Sequence, residues 1–138
     1  MSNKFESTVR EIGYSQTAVY NTLSNLENLG KIKDRIPEDK VKGLVFDNDS
    51  VSVKAPMVGQ MQLRIVDREE PKTVKFESVQ SPIPFNFWIQ ILPLTDASCK
   101  MKLTLKADAN PFMLAMVQKP LSEAIEKLAD TFQVIHYE

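Results

Sequence analysis

"NPFMLAMVQKPLSEAIEKLADTF", residues 110–132, carries apolar side chains at Leu114, Val117, Leu121, Ile125, Leu128 and Phe132. Steps of three and four residues place them on one face of a long helix. Pro120 sits inside that helix and cannot donate a hydrogen bond to the carbonyl of Met116, so a kink is expected there. The apolar phase nevertheless runs straight across it, which predicts one bent helix rather than two. Before the proline the segment is apolar almost all round, with Phe112, Met113 and Met116. After it a single stripe remains. A helix of this length at the end of a chain needs a large apolar surface to rest on.

The preceding residues supply one. "VGQMQLRIVDR" sets Met61, Leu63 and Ile65 opposite Gln60, Gln62 and Arg64. "PKTVKFESV" sets Val74 and Phe76 opposite Lys75 and Glu77, and "PFNFWIQIL" sets Phe85, Phe87, Ile89 and Ile91 opposite Asn86, Trp88 and Gln90. "CKMKLTLKA" sets Cys99, Met101, Leu103 and Leu105 opposite four polar positions. Each is a half-buried strand. "GLVFDNDSVSVKA" adds a hairpin around Asp47-Asn48-Asp49. Short turns join these strands, so the sheet is predicted antiparallel, with one face wet and one covered.

Upstream, "KFESTVREI" at 4–12 reads as one strand, with Phe5, Ser7 and Val9 inward and Lys4, Glu6, Thr8 and Arg10 outward. Ser15 can cap a short helix carrying Val19, Tyr20 and Leu23, and Ser24 with Glu27 fits a capping box for a second one. The predicted order is one strand, two short helices, six strands and one long helix, an α+β fold in a single domain over residues 1–138.

Composition narrows the function classes. The 138 residues carry 17 basic and 18 acidic side chains, a net charge of -1, and no long block of either sign. A duplex-binding protein would show a basic face, because phosphate contacts supply most of its affinity, so nucleic acid is not an expected partner. One cysteine, Cys99, allows no internal disulfide. No run reaches the roughly 18 apolar residues that span a bilayer, and the first residues lack the apolar core of an export signal. A cytoplasmic protein without stable membrane insertion is the expectation.

This order of elements resembles the helix-grip fold of the START and birch-pollen-allergen superfamily, also called SRPBCC or polyketide cyclase-like. In that fold an antiparallel sheet of about seven strands wraps a long C-terminal helix. "YSQTAVYNTLSNLENL" at 14–29, "PKTVKFES" at 71–78, "SPIPFNFWIQILP" at 81–93 and "NPFMLAMVQKPL" at 110–121 are similar to small bacterial members of unassigned function. The resemblance implies a cavity between sheet and helix for an apolar or amphipathic small molecule, such as a lipid. It implies no shared catalytic signature.

Strand phase and helix phase then nominate a ligand-binding set: Met61, Leu63, Phe76, Phe85, Phe87, Ile89, Met101 and Leu103 from the sheet, and Phe112, Met113, Met116, Val117 and Leu121 from the helix. The same residues also suit a close-packed core. Ser7, Ser78 and Tyr20 are candidate polar anchors by position. No His-Cys spacing for a metal and no glycine-rich phosphate loop occurs, so no cofactor is expected. His136 stands near the end of the sequence. Acid-base chemistry would need Glu6, Asp108 or Tyr20 drawn into the cavity. Three readings stand side by side: a ligand carrier, a cyclase- or dehydratase-like enzyme, and an interaction module with a filled core. Trp88, on the wet face, marks a patch for a second copy or lies beneath lysine stems from neighbouring strands.

Overall fold

The strand periodicities assemble into one antiparallel sheet. The structure, a computed structural model, describes residues 2–25, 44–46, 50–55, 59–80, 84–135 and 137. Its strands are β1 (Ser2–Glu6), β2 (Arg10–Ile12), β3 (Leu44–Phe46), β4 (Ser50–Ala55), β5 (Gly59–Glu69), β6 (Thr73–Gln80), β7 (Phe85–Thr95) and β8 (Ser98–Asp108). They lie in the order β1-β8-β7-β6-β5-β4-β3, with β2 also paired to β8. Because β1 and β2 share one edge of β8, the sheet has seven strand positions. The expected hairpin at 44–55 is present, with Phe46 opposite Val51. Its turn lies outside the described residues, as do His136 and the second short helix expected beyond Ser24.

Among the described residues two helices accompany the sheet, α1 (Gln16–Leu23) and α2 (Pro111–Val134). Ser15 caps α1 by accepting from the amide of Ala18 at 3.1 Å. Ser24, the candidate cap of the second helix, closes α1 by donating its amide to the carbonyl of Tyr20. Asn110 caps α2 through the amide of Met113 at 2.8 Å, and Pro111 occupies the first turn, where a missing N–H costs nothing. Helix α2 runs unbroken across Pro120, as the continuous apolar phase predicts.

The first strand departs from its reading as one alternating segment. Glu6 faces Thr104 while Arg10 faces Met101, so four steps along the edge answer three along β8. One extra residue is accommodated between β1 and β2, as in a β-bulge, and every side chain after it changes face. Phe5 and Ser7 are buried as expected, but Val9 is 58% exposed. Arg10, expected to point outward, shares the inner face with Met101, and Ile12 is buried opposite Cys99.

Ser7 holds this irregularity in place. Its amide donates to the carbonyl of Leu103 at 2.9 Å, and its hydroxyl accepts from the amide of Leu103 at 3.0 Å. Ser7→Ala leaves that buried amide without an acceptor, and the expected cost is about 1–3 kcal/mol. Urea unfolding of the variant checks this; a change under about 0.5 kcal/mol, the range of neutral surface substitutions, would remove Ser7 from the account.

The inner face meets α2. The helix packs against β1, β2, β8 and β4, while α1 packs against β6, β7 and β8. Val74, Phe76, Ile89, Ile91, Met101 and Leu103 from the sheet join Val117, Leu121, Ile125, Ala129 and Phe132 from α2 in one buried cluster. Beyond α2 the chain folds back, burying Ile135 and Tyr137. The Tyr137 hydroxyl donates to the carbonyl of Phe132, and its ring meets Tyr14 edge-to-face at 5.8 Å between centroids. Burial pushes the Tyr137 phenol well above its ordinary range, with neighbouring Cys99 adding to the effect.

Candidate ligand site between sheet and helix

The layer between β5, β7, β8 and the second half of α2 is where the expected ligand set converges. Leu63, Phe76, Phe85, Phe87, Ile89, Met101 and Leu103 are all buried on the inner face, and Val117 and Leu121 are buried beneath the helix. Phe76 and Phe87 pack edge-to-face with centroids 5.7 Å apart, the geometry the aromatic quadrupole favours. Met61 lies on β5 opposite Val53 and shares the strand parity of Leu63.

Three helix positions in the set stand apart. Phe112 is 77% exposed and Met116 52% exposed, while Met113 is half-buried against the core. Helical geometry gives the reason. At about 100° per residue, Phe112 and Met116 fall on the side of α2 away from Leu121. A strict angular plot of the sequence would have separated them. The nearly all-round apolarity of this segment hid the difference.

Within the layer Leu63, Phe85, Phe87, Leu105, Leu121, Ala124, Ile125 and Leu128 enclose a cavity of about 20 Å³. That is room for a water-sized probe, but the lining has no polar partner to hold one, and apolar cavities stay dry. The cavity begins one residue past Pro120. Among the described residues, every buried side-chain nitrogen and oxygen already has a hydrogen-bond partner.

The candidate anchors illustrate this. Ser7 is committed to the backbone of Leu103, and the Ser78 hydroxyl accepts from the amide of Phe85 at 3.1 Å, tying β6 to β7. Tyr20 is buried on α1 within the core cluster. Of the acid-base candidates, Glu6 is exposed and paired with Lys4 and Lys102, whose ammonium groups hold its carboxyl below the usual range, Lys102 foremost. Asp108 is also exposed and lines a surface groove with Trp88. Cys99 is fully buried, and desolvation raises its thiol above the ordinary value, so it behaves as a small apolar side chain. Among the described residues no group of three His, Cys, Asp or Glu could hold a metal ion.

A polar network that the sequence did not disclose fastens the helix to the sheet edge. Arg10 donates to Glu126 and to Asp130, and reaches Gln133 Oε1 at 3.1 Å. Glu126 also accepts from the amide of Thr8 at 2.7 Å. The hydrogen bond to Asp130, ahead of the cost of burial and the bond to Glu126, raises the guanidinium above its ordinary range. Burial works to raise Glu126, yet the bonds from Arg10 and Thr8 outweigh it and hold the carboxyl below the usual glutamate range. The bulge puts Arg10 here, and no periodicity of side chains could have announced it.

Comparison with solved structures locates this architecture. Norcoclaurine synthase from Thalictrum flavum, a point mutant in complex with a transition-state analogue, superposes with a TM-score of 0.70 at 14% identity, over 96% of this chain and 92% of that one. Another structure of that synthase, at a TM-score of 0.69 and 14% identity, covers 96% of this chain and 85% of that one and holds dopamine and hydroxybenzaldehyde. A START superfamily protein from Mycobacterium smegmatis gives 0.65 at 15% identity, over 96% of this chain and 94% of that one. No family model matches the chain, and no curated protein matches it by sequence. At such identities the likeness is one of fold: the chain has the START-like helix-grip fold, as the element order predicts. Among the described residues no helix is long and apolar enough to cross a membrane.

Proposed function

We propose that this protein binds an apolar or amphipathic small molecule, such as a lipid, between its sheet and α2, and carries or sequesters it without chemical change. One observation supports this above the others. The layer around the cavity is lined by apolar side chains alone, on a fold whose solved neighbours include a synthase holding two small aromatic molecules. A lining without titratable groups favours retention over acid-base chemistry among the described residues. Burying about 200 Å² of ligand surface would contribute roughly 5 kcal/mol before the costs of association. We place the activity in the cytoplasm, a reading supported by the single cysteine, Cys99, which is buried as a free thiol.

The cavity of about 20 Å³ also supports a second reading, a filled core whose work is done at the surface. A lipid-sized guest requires α2 to move away from the sheet, and Pro120 is where the helix lacks an internal hydrogen bond. Native mass spectrometry of the purified protein, with lipid extraction alongside, separates the two readings. A bound species of a few hundred daltons is the expected result. A bare protein mass, together with no uptake of an environment-sensitive dye, overturns the carrier reading. In the same dye assay Pro120→Ala, which restores the missing donor, is expected to slow uptake and release several-fold. Unchanged rates would leave the proline as a tolerated irregularity with no part in ligand entry.

A further inference from the structure

The outer face of the sheet carries a second concavity, on the opposite side from the layer described above. It is an open groove of about 600 Å³, within the roughly 300–1,000 Å³ usual for small-molecule sites. Strand register lays out its floor. Lys75 on β6 faces Trp88 on β7, Glu77 faces Asn86, and Asn86 in turn faces Lys106 on β8. Asp108, two residues beyond Lys106, lines the same groove. The ammonium groups of Lys75 and Lys106 lie 5.5 and 5.7 Å from the centre of the tryptophan ring.

We infer that this groove binds a neutral saccharide, with a sugar ring stacked on Trp88 and its hydroxyls bonded to Asn86, Lys106, Glu77 and Asp108. Three features select that class. An indole is a flat, polarisable platform whose electron-rich face attracts positively polarised hydrogens, as the two ammonium groups already demonstrate. The axial C–H groups of a pyranose present the same polarity to the ring. Lys106, the carboxylates of Glu77 and Asp108 and the amide of Asn86 line the groove, with Lys75 beside the ring, so its walls offer both donors and acceptors. A neutral molecule bearing both donors and acceptors matches this mixed lining. Concavity argues against the remaining occupant, a second copy of this face, because two hollows placed together leave a void where an interface needs close packing. The lysine side chains sit on flexible stems, so they can swing from the ring to the hydroxyls of an arriving sugar.

Trp88 is the only tryptophan in the chain, so intrinsic fluorescence reports this groove directly. Titration of the intact protein with cellobiose, maltose, lactose and chitobiose is expected to give a saturable change in emission with at least one of them. Asn86→Ala and Lys106→Ala, each removing one hydrogen-bonding group from an exposed surface, are expected to weaken that binding by about three- to tenfold. Glu77→Gln retains an acceptor while removing a charge, and should leave saccharide affinity within about twofold of the wild type if hydrogen bonding, not charge, does the recognition. No saturable response to any of the four sugars overturns the proposal. So does a response confined to an anionic probe such as inorganic phosphate, or an emission change that follows protein concentration alone and so reports self-association. The outcome is independent of whether the interior layer holds a lipid.

Discussion

Leu121→Ala is expected to lower the unfolding free energy by about 3–4 kcal/mol and, in the same molecule, to raise the uptake of small apolar probes. Leu121 is 3% exposed and borders the cavity between sheet and helix. Leucine-to-alanine changes at buried sites cost about 2–5 kcal/mol, and the upper part of that range applies where the surroundings cannot collapse into the space. Here the new void joins one already present, under a helix held at its far end by Arg10 and against a sheet paired along its length. For a domain of this size the loss amounts to a fall in melting temperature of roughly 12 °C. Benzene or an environment-sensitive naphthalene dye should bind the variant more tightly than the wild type, because an apolar space of sufficient size accepts an apolar guest. Stability and uptake need not move together. Destabilisation without any gain in probe binding would show that the layer closes on itself, and the filled-core reading would then stand.

The second large effect is expected at the helix clamp. Arg10→Ala removes a donor shared by Glu126 and Asp130, leaving two carboxylates four residues apart on α2 with no cation between them. Removing one partner of a buried ion pair costs about 3–5 kcal/mol. Glu126 and Asp130 are 36% and 41% exposed, so water can replace part of what Arg10 supplied, and about 2–3 kcal/mol is the expected loss. Chemical denaturation measures it, and Arg10→Lys should fall between, since a lysine keeps the charge but not the forked geometry. A loss below about 0.5 kcal/mol, the range of ordinary surface substitutions, would mean that the network does not fasten the helix.

Acid should act on the same clamp. Glu126 titrates below its unfolded value, so its contribution is complete above the unfolded pKa and is lost as pH falls through the folded one. The wild type is therefore expected to lose stability below about pH 4, and Arg10→Ala to lose less over the same interval, because only the bonds from Thr8 then favour the charged form of its Glu126. Parallel acid profiles for the two proteins would contradict this assignment of the clamp.

Much of this architecture is written in side-chain alternation. Phe85, Phe87 and Ile89 alternate with Asn86, Trp88 and Gln90 because one face of β7 must be dry, and the structure buries those three as the pattern requires. The stripe from Val117 to Phe132 likewise announced α2 and the face it presents, across Pro120 as well as before it. Burial acts on each residue separately, so a linear pattern can record it.

Features that depend on a second segment were not legible in this way. Whether the strand at 4–12 continues or slips by one residue is settled by its hydrogen bonds to β8, at Ser7 and Leu103, and that slip turns Arg10 from the solvent face to the helix. Phe112 and Met116 read as interior because they are apolar, yet the orientation of α2 on β8 leaves both in the open. The outer groove arises where Lys75 comes level with Trp88, and Asn86 with Lys106, on three adjacent strands, 13 and 20 residues apart along the chain. Periodicity fixes which side of an element is apolar. Register and helix placement, set by contacts between distant segments, determine which side chains meet.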